Sequence, residues 1–204
     1  MKVGLLGGTF NPPHLGHLIC AQEALLAFAL DRVLLVPAGV PPHKAVESDP
    51  GVQERVAMCE AAVAGDIRLG VSRADADRRG PAYTVELLRD LTAAAPEDEL
   101  WFVVGGDMAD SLPAWREPES VLALARLAVA EREGVGREDI AQRLAGLAGG
   151  EERVSFFTMP RIDISSSLVR RRVASGASIR YLVPDAVAAH IEGRGLYAYP
   201  GGTA

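Results

Sequence analysis

The chain has 204 residues, 49% hydrophobic and 24% charged, with a formal net charge of −6. That length buries one good core and is short for two, so a single domain over residues 1–204 is expected, folded rather than disordered. The acidic balance leaves no broad basic face, which argues against nucleic acid as a main partner but still permits a local cluster that holds a small anion.

Cys20 and Cys59 make no pair at metal spacing and suit a reducing compartment. No basic-then-apolar leader opens the sequence, and the apolar stretch after His17 is broken by Gln22 and Glu23. A cytoplasmic protein with no membrane contact is therefore expected. Oligomeric state is not encoded in any pattern of the sequence.

Val3 to Leu6 is an apolar run suited to a buried strand, and Gly7-Gly8 after it permits a sharp turn and close approach to a ligand. Pro12-Pro13 ends extended structure ahead of a helix. A strand that enters a helix through glycines offers backbone N–H groups where an anion sits. His14 and His17 stand at i and i+3, on one face if that turn is helical. The stretch is not a P-loop, since no Gly-Lys-Ser/Thr follows, and Gly4, Gly7 and Gly8 do not make G-x-G-x-x-G. A glycine turn alone is ordinary punctuation. A metal site would need more ligands than His43 and His190 can add, so no protein-held metal is assigned. Glycines and paired imidazoles together favour a nucleotide phosphate site.

Leu18 to Leu30 follows with apolar residues at helical spacing (Leu18, Ala21, Leu25, Phe28, Ala29), and Val33 to Val36 is a short buried strand. Strand, crossover helix and strand imply a right-handed parallel pair. Pro37 to Pro50 is a loop at the carboxyl end of that strand, where open α/β sheets bind ligands, with His43 and Lys44 at its tip. A solvated lysine explains Lys44 equally well. Val52 to Ala64 is helical, with Val56, Cys59, Ala62 and Val63 facing inward, and Ile67 to Val71 is the third strand. Thr84 is an acceptable cap for a helix running to Ala94.

Leu100 to Val104, the fourth strand, runs into Gly105-Gly106-Asp107. The Asp107 carboxylate can accept from a ribose or ligand amine, or cap a helix beginning at Met108. Trp115 offers a flat face to an aromatic ring, with core packing the alternative, and Arg116 offers charge to a carboxylate or phosphate. Leu127 to Ala130 and Val154 to Met159 read as strands around a surface helix, Arg137 to Leu147. Ile164-Ser165-Ser166-Ser167-Leu168-Val169-Arg170 forms a second anion site, with a serine cap, first-turn amides, and Arg170 one to two turns inward. Pro184 and Asp185 start a closing helix on which His190 is structural. The sum is an α/β, Rossmann-like doubly wound, mostly parallel sheet flanked by helices, with a small C-terminal helical part.

Residues 7–18, GGTFNPPHLGHL, resemble the H-x-G-H signature of the nucleotidyltransferase superfamily. The whole chain looks like the bacterial nicotinate-nucleotide adenylyltransferases. Further segments match in order: P-P-H-K at Pro41 to Lys44, G-P-x-Y-T at Gly80 to Thr84, G-x-D at Gly105 to Asp107, Trp115-Arg116, I-S-S-S-x-x-R at Ile164 to Arg170, and Y-L-V-P at Tyr181 to Pro184. The chain departs at Asn11, where aspartate is usual, and at Ser167, where threonine is usual.

The resemblance implies transfer of AMP from ATP to nicotinate mononucleotide, with Mg²⁺ accompanying ATP. His14, His17, Lys44 and Arg170 would be catalytic. Gly7, Gly8, Thr9, Phe10, His14, His17, Gly105, Asp107, Ile164, Ser165, Ser166 and Arg170 would bind ATP. His43, Lys44, Tyr83, Thr84, Trp115 and Arg116 would bind the pyridine nucleotide. The rivals are an adenylyltransferase of the same superfamily that uses nicotinamide mononucleotide or pantetheine phosphate, and a non-catalytic nucleotide-binding protein.

Overall fold

The structure is a computed structural model that describes residues 1–40, 48–81, 83–131 and 137–198. Strand β1 (Lys2–Gly8) leads into helix α1 (Leu15–Phe28), β2 (Arg32–Pro37), α2 (Val52–Val63) and the short β3 (Leu69–Val71). Helix α3 (Thr84–Ala94) then precedes β4 (Glu99–Gly105), α4 (Gly106–Asp110), a 3-10 turn (Leu112–Ala114), α5 (Pro118–Leu124) and β5 (Arg126–Glu131). The chain continues through α6 (Arg137–Ala145), α7 (Gly150–Arg153), β6 (Val154–Thr158), α8 (Ser166–Ala174) and α9 (Asp185–Gly193).

The strands form one sheet in the order β3-β2-β1-β4-β5-β6, and each named pairing is parallel. The sheet is thus wholly parallel among the described residues, where the sequence pattern called for mostly parallel. Its central strands are apolar on both faces because helices cover both. Val3 and Leu5 of β1 enter a core with Phe102, Val104, Leu127 and the apolar sides of α3 and α5. Leu6 turns the other way, into a core with Ala21, Ala24 and Leu25 of α1, Val33, Leu35 and Trp101.

From β1 the chain winds outward through β2 and β3, then returns to lay β4 on the other side of β1. The connections leave the carboxyl ends of β1 and β4 in opposite directions, which opens a crevice there and nowhere else in the sheet. A third cluster, Met58, Val169, Val183, Val187 and Ile191, packs α2, α8 and α9 together beside that crevice.

Several boundaries differ from the sequence expectation. The third strand begins at Leu69 rather than Ile67, whose side chain is fully exposed. Thr84 is the first residue of α3 and Tyr83 its cap, because Tyr83 keeps extended dihedrals. Ala29 ends α1 in a left-handed conformation (φ 48°), so it is the C-cap and no part of the buried stripe. Helix α4 starts at Gly106 instead of Met108, and α5 had no counterpart in the sequence pattern. Its seven residues are too few to show a helical period, although Pro118 at its first position is a start signal.

Candidate active site at the β1–β4 crevice

Strand β1 ends at Gly8, and residues 9–14 cross the crevice before α1 begins. Phe10 takes a left-handed backbone (φ 50°) and Asn11-Pro12 is a cis peptide. Asn11 and His14 are buried, with Phe10 between β1 and α1 in the core.

His14 is the N-cap of α1, and His17 is the third residue of the helix. The His14 N–H donates to Nδ1 of His17 over 3.1 Å, and the His17 N–H donates to the His14 carbonyl over 2.9 Å. The two rings lie with centroids 3.7 Å apart, and Phe10 meets the His17 ring edge-on at 4.9 Å. An accepting Nδ1 places the His17 hydrogen on Nε2, so this imidazole presents a neutral N–H donor. Gly16 leaves the space this arrangement uses. A Cβ there would stand 3.1 Å from Cε1 and Nδ1 of His14 and 3.3 Å from Ile162.

The far end of the chain closes over this turn. Ser166 Oγ donates to the Pro12 carbonyl at 2.8 Å, and the Arg170 guanidinium donates to the Asn11 carbonyl at 2.8 Å and to Ser167 Oγ at 3.3 Å. Ser165 caps α8, its Oγ accepting from the Leu168 N–H at 3.1 Å. The N-terminus of α8 and the N-terminus of α1 are thereby tied side by side, and both present first-turn amides. Ile164 packs against the α2/α8/α9 cluster. The Tyr197 hydroxyl reaches the Asn11 side chain, donating to Oδ1 at 2.7 Å, and its burial pushes the hydroxyl pKa up.

On the other side of the crevice, Gly105 ends β4 and Asp107 lies exposed in the first turn of α4. Trp115 is half-buried, edge-on to Phe102 of β4 at 6.0 Å, with its Nε1 donating to Ser111 Oγ at 3.0 Å. Phe102 in turn lies under Gly7, where a Cβ would come within 3.1 Å of its ring. The Arg116 guanidinium lies 4.7 Å from the Tyr83 ring centroid, 3.1 Å from Glu86 and 3.9 Å from Glu117, so three neighbours engage its charge. Tyr83, Thr84, Trp115 and Arg116 therefore form one group at the α3 side, while Thr9, His14, His17, Ser166 and Arg170 form another at the α1 side. His43 and Lys44 lie outside the described residues.

Two residues that hold this geometry had no place in the sequence expectation, Arg55 and Tyr197. Arg55 did leave a signal. It falls on the apolar stripe of α2 between Val52 and Val56 and Cys59, where a charge is unusual. Tyr197 left none, since a terminal aromatic has no periodic context.

Residues 5–172 match the model of the cytidylyltransferase-like family. A probable nicotinate-nucleotide adenylyltransferase of Geobacillus thermodenitrificans is 40% identical over 96% of this chain and 86% of its own length. The chain belongs to the nicotinate-nucleotide adenylyltransferase family. Another member, from Trichlorobacter lovleyi and also named as probable, is 42% identical over 97% of this chain and 99% of its own. The fold is shared more widely in the family. The Plasmodium falciparum nicotinic acid mononucleotide adenylyltransferase, solved in complex with NaAD, superposes with a TM-score of 0.76 at 16% identity, over 96% of this chain and 97% of that one.

Proposed function

We propose that this protein transfers AMP from ATP to nicotinate mononucleotide, releasing pyrophosphate and forming nicotinate adenine dinucleotide, a step of NAD biosynthesis. Family membership supports the reaction. The observation that carries its location is the seam in which Ser166 and Arg170 of α8 bind the carbonyls of Pro12 and Asn11. That seam puts two helix N-termini and two imidazoles around one space at the β1–β4 crevice, a setting for a triphosphate.

The acceptor phosphate is already ionised, so the reaction needs neither a protein nucleophile nor a strong base. An acceptor oxygen attacks the α-phosphorus, and the bond to the pyrophosphate oxygen breaks. The protein aligns the two substrates and stabilises charge on the transferring and leaving oxygens. His17, through Nε2–H, and His14 serve the α-phosphate side, with Gly7, Gly8, Thr9 and Phe10 lining the turn. Arg170 and the amides after Ser165 serve the leaving pyrophosphate. Lys44 supplies a point charge, with His43 next to it in sequence. Gly105 and Asp107 face the adenosine side, Ile164 backs the α8 amides, and Tyr83, Thr84, Trp115 and Arg116 border the pyridine ring and its carboxylate.

Mg²⁺ comes with ATP and offsets phosphate charge. Among the described residues no group of three or more His, Cys, Asp or Glu side chains could hold a metal ion. This donor set suits an ion carried by phosphates and water. No described helix is long and apolar enough to cross a membrane, and the reaction belongs in the cytoplasm, where ATP is supplied.

The test is pyrophosphate release from ATP and Mg²⁺ with nicotinate mononucleotide, nicotinamide mononucleotide or pantetheine phosphate as acceptor. Clear preference for the nicotinate acceptor is expected. Equal or better use of either rival, or no turnover with any of them, overturns the assignment.

A further inference from the structure

Arg55 is the largest fully buried side chain in the structure, 1% exposed. An arginine is seldom placed so deep, because its charge loses hydration that only several well-formed hydrogen bonds can replace. Four are present. Nη1 donates to the Thr9 carbonyl at 2.8 Å and to the Ala38 carbonyl at 2.7 Å, Nη2 donates to the Gly39 carbonyl at 3.1 Å, and Nε donates to Asp49 Oδ1 at 3.0 Å.

These partners come from separate places in the chain. Thr9 begins the phosphate turn after β1. Ala38 and Gly39 are the first residues beyond β2, and Asp49 stands just before α2. The β1–β2 ladder ends at Gly8 and Pro37, with one last bond from the Ala38 N–H to the Gly8 carbonyl at 2.9 Å. Past that point, among the described residues, the guanidinium is the common fastening of the two exits through the Thr9, Ala38 and Gly39 carbonyls. Its rigid fork does what an ammonium cannot, since three or four acceptors must be met in one plane. Asp49 fixes the fork in turn. Its Oδ1 accepts from both Arg55 Nε and the Gly51 N–H, the latter at 3.0 Å.

The bond to Thr9 has a directional effect. In a trans peptide the carbonyl and the next N–H point oppositely. Drawing the Thr9 carbonyl onto Arg55 turns the Phe10 N–H away from Arg55, on the same short segment that leads to His14 and His17. The Gly39 side of the fork is anchored further. Gly39 runs close against the Asp75 backbone, and a Cβ there would come within 2.5 Å of the Asp75 carbonyl oxygen.

We propose that Arg55, held by Asp49, is a positioning residue for adenylyl transfer: it sets the phosphate turn of β1 in register with the exit of β2. The proposal rests on the function assigned above. Arg55 touches neither substrate; it acts through the Thr9, Ala38 and Gly39 carbonyls. Loss of the fastening leaves each wall able to bind its own ligand but misaligned with the other, so the effect falls on kcat and leaves ATP affinity nearly intact.

The test compares the full-length protein with Arg55→Lys and with Asp49→Ala, the milder variant in case the first fails to fold. Folded fraction is measured by circular dichroism and unfolding curves, ATP affinity by calorimetry, and kcat per folded molecule with ATP, Mg²⁺ and nicotinate mononucleotide. Arg55→Lys is expected to lower kcat on the order of 10- to 100-fold, with ATP Kd within about threefold, and Asp49→Ala to lower it about 3- to 10-fold. Wild-type kcat per folded molecule in the variants shows Arg55 to be only a core satisfier and overturns the proposal. So does a rise in ATP Kd that matches the fall in kcat. A wild-type protein inactive toward the nicotinate acceptor refutes the assigned function instead, and the two failures are distinct because one is read on the wild type and the other on the variants.

Discussion

Tyr197→Phe removes one hydroxyl and keeps the ring, so it isolates the bond from the C-terminal segment to Asn11. In the wild type that hydroxyl donates to Asn11 Oδ1 at 2.7 Å, in a setting where Asn11 is 4% exposed. A net hydrogen bond contributes about 1 kcal/mol, and loss of a buried donor raises the cost toward 2 kcal/mol. At about 2–4 °C per kcal/mol for a chain of this size, the melting temperature should fall by roughly 2–8 °C. The same hydroxyl has its pKa raised above the ordinary 10.0 by burial. Its neutral form is favoured in the folded state, so the stability it adds is complete below pH 10 and is lost as pH rises from there toward the folded value. At pH 11 the wild type should have lost on the order of 1 kcal/mol from this source, which the phenylalanine variant cannot lose. Urea unfolding of both proteins at pH 7 and pH 11 measures the difference directly. Equal stability at pH 7, or a wild-type advantage undiminished at pH 11, refutes the reasoning.

His17→Ala should fold, losing about 1 kcal/mol with the acceptor for the His14 N–H, while kcat falls roughly 100-fold or more because a donor to the transferring phosphate is gone; unchanged turnover rules out that role. Glu54 ties α2 to α9, accepting from Arg194 and meeting His190 Nε2 at 2.8 Å, and Arg194 first, then His190, hold its carboxyl below the ordinary 4.5. Its contribution is present above about pH 4.5 and fades as pH falls through the lowered value. Glu54→Gln should therefore shift the urea midpoint downward at pH 7 and converge with wild type in acid; a constant gap down to pH 2 would refute the ion-pair account.

The parts of this molecule that repeat were legible in its sequence. The runs at Val3, Val33, Leu100 and Leu127 read as short buried strands, and the helix between the first two implied a right-handed parallel pair. The pairing of His14 with His17 was legible because a cap and its third residue are neighbours in sequence. What could not be read was every contact between distant parts. The motif marked Ser166 as part of an anion site, but not that its hydroxyl donates to the Pro12 carbonyl, 154 positions away. Arg116 offered its charge to a ligand, but its contacts with Glu86 and the Tyr83 ring had no signal in the sequence. Short elements such as α5, and the exposed start before Leu69, failed for a different reason, since two turns or three residues cannot carry a period.

The bond from Tyr197 to Asn11 spans 186 positions. Synthesis runs from the N-terminus, so the turn bearing both histidines emerges before α8 and Tyr197, whose contacts secure it. A nascent chain can assemble its sheet strand by strand, but α8 and then Tyr197 must arrive before residues 9–14 are fixed in place. Closing so long a loop is entropically slow, and every core contact that forms earlier shortens it. A chain cut short before α8 would have the β1–β2–β4 scaffold without the contacts from Ser166, Arg170 and Tyr197 that hold Asn11 and Pro12.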